Sequence, residues 1–247
     1  MGRKSQRGKC GLCHKTTELQ NSHIIPEFFY KPLYDSKHRM NAVPLTPTET
    51  AHYKQKGLRE FLLCQECELK FSKYENYTRG ILWGGKSILI KHGNPIIMSE
   101  IDYPTFKLFQ LSLLWRASIS TLDFFQNVQL GPVEERIRLM LLNEDPGDDT
   151  TYPCMIILFL RDESIPLQDL IMAPSRLKMH GHTVYRFVMG GGFWVWVASS
   201  HAERFPRLDY ILRADGSINI PLKRAEETPY FQDVAKLMKS AQSENKT

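Results

Sequence analysis

The sequence predicts an α+β protein in which a zinc-organised N-terminal part is followed by helices packed on an antiparallel sheet. Two C-x2-C pairs, Cys10–Cys13 and Cys64–Cys67, frame the first part. The texture then changes twice. Apolar residues recur at helical spacing from about Thr105, and from Cys154 short β-branched and aromatic runs alternate with turn formers. We therefore divide the 247 residues into a zinc-binding unit, 1–95, and an α+β unit, 96–247.

Each C-x2-C turn can aim two sulfurs at one tetrahedral centre, and two such turns complete a four-thiolate zinc site. The 50 residues between the pairs exceed a simple zinc ribbon, so a further structure is expected there. CGLCH at Cys10–His14 also matches the C-x-x-C-H haem-attachment string, but that reading leaves Cys64 and Cys67 unexplained. Cys154, inside an apolar run, reads as a small buried hydrophobe.

Glu60–Leu63 reads as a strand feeding Cys64, and a helix is expected at or near Cys67, with Leu69, Phe71 and Tyr74 among charged residues. Val43–Thr50 reads as a loop, and GGKSILIKHGNP, from Gly84 to Pro95, as a linker. A long apolar helix is expected over Thr105–Phe125. A second begins at Gly131–Pro132 and buries Val133, Ile137, Met140 and Leu141. Strands are expected near 154–160, 184–198 and 208–220, with Gly190–Gly192 as a hairpin turn and a closing helix over Pro229–Ser240.

Hydrophobic content of 42% with 24% charged residues fits an ordinary globular chain. The most apolar stretch, from Phe106, is broken by Lys107, Gln110 and Arg116, which argues against a membrane span. Five cysteines and a basic opening with no apolar run behind it lead us to expect reduced thiols and a cytoplasmic location. Charge is divided unevenly: residues 1–95 carry 16 Lys/Arg against 8 Asp/Glu, and residues 96–247 carry 16 against 19. The first part is therefore expected to face a polyanion.

Between the knuckles, ELQNSHIIPEFFYK and REFLLCQECELKFSKYE carry a resemblance. The order C-x2-C, His-Ile-x-Pro strand, Leu-Leu-Cys strand, C-x2-C and helix resembles zinc-containing HNH endonucleases of the treble-clef, ββα-metal type. Within that group it is most similar to stand-alone bacterial members with an S-H-I-I-P segment, over residues 10–75. The resemblance implies DNA as substrate and a role for His23 as the general base that takes a proton from water. It also implies that Glu68, after Cys67, holds a catalytic Mg²⁺ or Mn²⁺ where the family usually has His or Asn. Two positions depart from the pattern. Ser22 stands where many members have a metal-binding Asp, and Arg59 or Glu60 where the middle Asn falls. Glu27, Glu75, His38 and His52 are the candidates to compensate. Read without the resemblance, His23 is a structural histidine, Glu68 a charge at a helix start, and Glu75 a solvent-exposed partner of Lys73 or Arg79.

One motif is refused. Gly80–Ser87, GILWGGKS, satisfies the P-loop string, yet a charged helix precedes it and His92–Pro95 stops any helix after it. Three functions follow: a metal-dependent DNA endonuclease; a catalytically silent zinc module binding nucleic acid or a partner protein; and a subunit of an antiviral or mobile-element system that acts with a protein partner, engaged through residues 96–247.

Overall fold

The computed structural model describes residues 6–42, 52–54, 57–161 and 166–233. Strands β1 (Gln6–Lys9) and β2 (Thr16–His23) form an antiparallel hairpin around the first cysteine pair. Two more strands, β3 (Met40–Ala42) and β4 (His52–Lys54), pair in the intervening segment. Strand β5 (Arg59–Cys64) then returns to the free side of β2, giving the order β1-β2-β5. Helix α1 (Gln65–Trp83) starts directly at the second cysteine pair, with Cys64 at its cap and Glu66 and Glu68 in its first turn, where negative charge is favoured. The strand bearing His23, the strand feeding Cys64 and the helix near Cys67 are thus as expected. The loop expected over Val43–Thr50 lies outside the described residues.

The expected linker is structured. After Gly84 and Gly85, whose φ angles of 85° and 105° suit glycine, β6 (Leu89–Lys91) and β7 (Ile96–Ser99) pair antiparallel. Their partner is remote: β12 (Ile218–Ile220) adds to β7, so the order is β12-β7-β6. A three-residue apolar run beside Gly and Pro reads as a linker, yet it closes a hairpin on β7, which β12 then extends.

Helix α2 (Tyr103–Ile119) opens on Asp102, whose Oδ1 accepts the Thr105 N–H at 3.3 Å. Every residue from Phe106 to Ala117 is buried, so α2 is a core helix on all faces. It ends six residues earlier than expected. Glu60 on β5 accepts hydrogen bonds from Ser120 Oγ and from the backbone and hydroxyl of Thr121, which pins the chain out of helix. Helix α3 (Pro132–Asn143) starts where expected and buries Ile137 and Leu141.

The C-terminal sheet has the order β13-β8-β11-β10-β9, from β8 (Cys154–Leu160), β9 (Met172–Met179), β10 (His182–Met189), β11 (Gly192–Val197) and β13 (Leu222–Arg224). Its pairs are antiparallel except β13 with β8, which is parallel. Residues 208–220 do not join this sheet as expected. Leu208–Tyr210 form a 3-10 turn, and β12 pairs with β7. Strand β9 carries Pro174 and charged residues that mask it in sequence, and its edge position tolerates both. Of the closing helix, residues 229–233 are helical and the remainder lies outside the described residues.

One hydrophobic cluster runs from Cys10 and Leu12 through α1 and α2 to Trp194 and Ile220, and a second covers the far face of the large sheet. Phe109 sits centrally: its ring lies 6.1–6.5 Å from those of Phe28, Phe29, Phe106 and Trp194. No helix among the described residues is long and apolar enough to cross a membrane. We expect Phe109→Ala to destabilise the protein by about 3–5 kcal/mol, measured as a lower midpoint in urea unfolding.

Candidate functional site

The four cysteines converge. All their sulfurs lie within 4.8 Å of one another, and the Sγ atoms of Cys13 and Cys64 are 3.7 Å apart. Tetrahedral zinc with bonds of about 2.3 Å requires sulfurs roughly 3.8 Å apart, so the set fits. Backbone bonds shape the cradle: Cys10 N–H to Lys15 O, Gly11 N–H to Leu62 O, and Cys64 N–H to Cys10 Sγ at 3.3 Å. Burial, with the neighbouring sulfurs adding to it, drives the Cys67 thiol upward. Burial acts the same way on Cys10, but the backbone N–H groups of Cys13, Cys64 and Leu12 outweigh it and hold that thiol low. A cation among the sulfurs would relieve this crowding. The cluster could hold a metal ion such as zinc. Cys154 stands apart, buried in β8 as expected, where burial raises its thiol.

His23 closes β2, opposite Arg59 of β5. Its Nε2 lies 2.6 Å from Glu27 Oε2, and the Tyr34 hydroxyl donates to Glu27 Oε1 at 2.8 Å. Pro26 and the 3-10 turn Glu27–Phe29 bend the chain so that Glu27 returns beneath the ring. Arg59 Nη2 stands 3.6 Å from the same carboxylate. The His23 side chain is 18% exposed, enough for one face to meet solvent.

Burial, then the charges of Arg59 and Arg116, holds His23 below its ordinary value, against the pull of Glu27. Burial pushes Glu27 upward, but the hydrogen bonds from Tyr34 and His23 prevail and keep its carboxyl low. In its neutral form the imidazole carries its proton at Nε2, toward Glu27 Oε2, and leaves Nδ1 as the acceptor.

Glu68 is placed differently. Its Oε2 accepts the hydroxyl of buried Ser22 at 2.6 Å, while the ring of the next residue, His23, engages Glu27. His23 and Glu68 therefore serve different partners, because successive residues of a strand point to opposite faces. Glu75 is not the exposed partner of Lys73 or Arg79 that its sequence position suggests. Its Oε1 lies 2.7 Å from Arg116 Nη1, which also donates to His23 O at 2.7 Å. Burial pushes the Glu75 carboxyl up despite this guanidinium.

Of the other compensating candidates, only Glu27 reaches His23. His38 stacks on Tyr34 with ring centroids 4.0 Å apart, and the side chain of His52 lies outside the described residues. Glu60, a candidate for the middle position, is committed to Ser120 and Thr121. Beyond the four cysteines, the described residues hold no cluster of three metal-ligating side chains.

The P-loop string is not a phosphate cradle. Gly80–Trp83 belong to α1, the Lys86 N–H bonds Gly80 O, and a strand, not a helix, leaves the segment.

Comparison with protein-family models, curated proteins and solved structures yields no match. The site is therefore read from its own geometry. Arg116 and Tyr34 are the residues that sequence reasoning missed. Tyr34, seven residues beyond Glu27 and past two turns, has no periodic signal. Arg116 looks like an interruption of an apolar helix, which is itself the available clue: a cation there must have a partner.

Two outcomes are expected. Protein purified without added metal should contain one zinc per chain by elemental analysis, and Cys10→Ala with Cys67→Ala should abolish both the zinc and cooperative unfolding. The folded pKa of His23 should lie below 6.5, its ordinary value, by NMR titration. The unfolded chain then takes up this proton first, so His23 contributes stability above about pH 6.5 that is lost as pH falls toward its folded pKa. A second loss follows below the ordinary Glu value of 4.5, because folded Glu27 resists protonation. Thermal midpoints measured across pH should show the first loss in the native protein and not in His23→Gln.

Proposed function

We propose that the protein is an HNH-like endonuclease that hydrolyses phosphodiester bonds in DNA, with His23 as general base. The observation that carries this reading is the geometry at His23: a largely buried ring whose Nε2 lies 2.6 Å from Glu27 Oε2, with the other oxygen of Glu27 fixed by the Tyr34 hydroxyl. Its position at the end of a strand, between two cysteine knuckles and beside the first turn of a helix, supports the same reading.

The chemistry assigned to the chain's own residues is short. Nδ1 of His23 accepts a proton from water as the water oxygen bonds to phosphorus. The P–O bond to the leaving oxygen then breaks, and solvent protonates that oxygen. Glu27 stabilises the imidazolium formed in the first step, and Tyr34 fixes Glu27. Arg59, across the ladder, supplies positive charge toward the phosphate. Zinc in the four-cysteine cluster would hold the β1–β2 turn against the start of α1. A Mg²⁺ or Mn²⁺ entering with the nucleic acid would neutralise charge on the phosphate, and Glu68 would hold it only by leaving Ser22 and turning toward the His23 side of β2.

A second reading, a silent zinc module, is favoured by one observation: Ser22 already occupies Glu68, and Arg116 occupies Glu75. The two readings part in one assay. A nuclease should nick supercoiled plasmid with Mg²⁺ or Mn²⁺ and not with EDTA, and His23→Ala should lower the rate about 10²–10⁴-fold while zinc content and DNA binding persist. Glu68→Ala should shift the dependence on added metal and leave zinc in place. Nicking that survives His23→Ala undiminished would remove His23 as the base, and a protein that binds DNA yet never nicks it would establish the silent module.

A further inference from the structure

Sheet β12-β7-β6 stands apart from the His23 site and shows solvent an unusual face. Register puts Ile90, Met98 and Ile218 in one cross-strand row, and Lys91, Ile97 and Asn219 in the next. Adjacent strand residues point oppositely, so the first row turns inward at its centre, where Met98 and Ile218 are buried, while Ile90 on the edge strand stays 45% exposed. The second row, with Leu89 and Ser99, turns outward. Leu89 is 59% exposed and Ile97 36%, and Trp83, at the end of α1 leading into this hairpin, is 40% exposed.

The β6 end of this face is basic, while Glu100 follows Ser99 at the β7 end and Asp209 lies beside Asn219. From residue 76 to residue 99 there is no carboxylate, while Arg79, Lys86, Lys91 and His92 occur. Lys86 rests 5.3 Å from the centroid of the Tyr77 ring, and Lys91, His92 and Arg79 enter no ion pair among the described residues. Lys223 lies alongside, because Asn94 and Leu222 exchange two hydrogen bonds of 2.9 and 3.0 Å.

We propose that this sheet face and the last turn of α1 dock double-stranded DNA, the outer row entering the minor groove and Lys86 and Lys91 meeting the flanking phosphates. An aliphatic side chain with a cation at the end of its row is what minor-groove readers present: an apolar wedge between base steps and charge toward the phosphates beside the groove, while the Asn219 amide is held by Asp209 O. A lipid surface would select a protruding apolar edge, whereas Asn219 and Ser99 lie within this face. A second copy of the chain would set like charges against each other. Glu68 and Trp83 sit at opposite ends of α1, about 22 Å apart. That is roughly six or seven base pairs at ~3.4 Å each, so one duplex can reach both. The proposal rests on the nucleic-acid reading of the His23 site but is tested separately from it.

The test uses the full chain carrying His23→Ala, which prevents cleavage, and a labelled 20-base-pair A·T-rich duplex followed by fluorescence anisotropy over a salt series. Adding Lys86→Glu with Lys91→Glu should weaken binding at least tenfold and lower the slope of log affinity against log salt by about 1.8, the value for two phosphate contacts. Lys86→Gln with Lys91→Gln should move both in the same direction by less, with zinc content unchanged. Leu89→Ser should reduce the preference for A·T over G·C duplexes. Unchanged affinity and slope in both lysine pairs would overturn the proposal. So would absence of duplex binding, a dimer that Leu89→Ser dissociates, or preference for phosphatidylserine vesicles over duplex. Lysine-dependent binding without nicking by the native protein retires the nuclease reading and leaves this surface standing. Nicking with lysine-independent binding does the reverse.

Discussion

Four sulfurs from two distant turns meeting within a few ångströms is the constraint on which the N-terminal architecture depends. Cys10 and Cys13 sit in the β1–β2 turn, and Cys64 and Cys67 where β5 becomes α1. Bringing them together holds β2 against β5, and that ladder places His23 opposite Arg59. A slip of one residue would turn every side chain of β2 to the other face and exchange the environments of Ser22 and His23. The cysteine cluster thus acts on the site through register.

Arg116 is the second fixture. Its buried guanidinium joins α2 to the backbone of His23 and to Glu75 on α1, so the core helix, the His23 strand and the cysteine-capped helix share one charged junction. A buried charge of this kind is costly unless its partners are well placed, and removing one of them leaves the other stranded. The same junction contributes positive potential to His23, which helps keep that imidazole neutral. Electrostatics at the site are therefore set partly by a residue from the opposite half of the chain.

Local chemistry was legible in the sequence and long-range pairing was not. The two C-x2-C turns announce a metal cluster through spacing alone, and Gly131–Pro132 announces the start of α3. His23 stood out only because the cysteines framed it. Strand β6 was hidden because it is three residues long between Gly84–Gly85 and His92–Pro95, β7 because its second neighbour, β12, comes more than a hundred residues later, and β9 because an edge strand can carry Pro174 and charge. Glu75 was misread for a related reason: on a helix surface its neighbours in sequence are Lys73 and Arg79, and the cation that claims it arrives from α2. Glu27 was within reach, being four residues beyond His23, but the role depends on a 3-10 turn that has no periodicity to read.

Gly190 has a consequence for the site that distance along the chain conceals. It sits in the β10–β11 turn at φ 59°, and a side-chain carbon there would fall 2.6 Å from the Phe29 ring. Phe29 ends the short turn whose first residue is Glu27. The hairpin therefore serves as a backstop for the loop that aims the carboxylate at His23. A methyl group added at that stop would push on the aromatic ring, the ring on the turn, and the turn on the acid, so the alignment of the imidazole is held in part by the empty space beside a glycine.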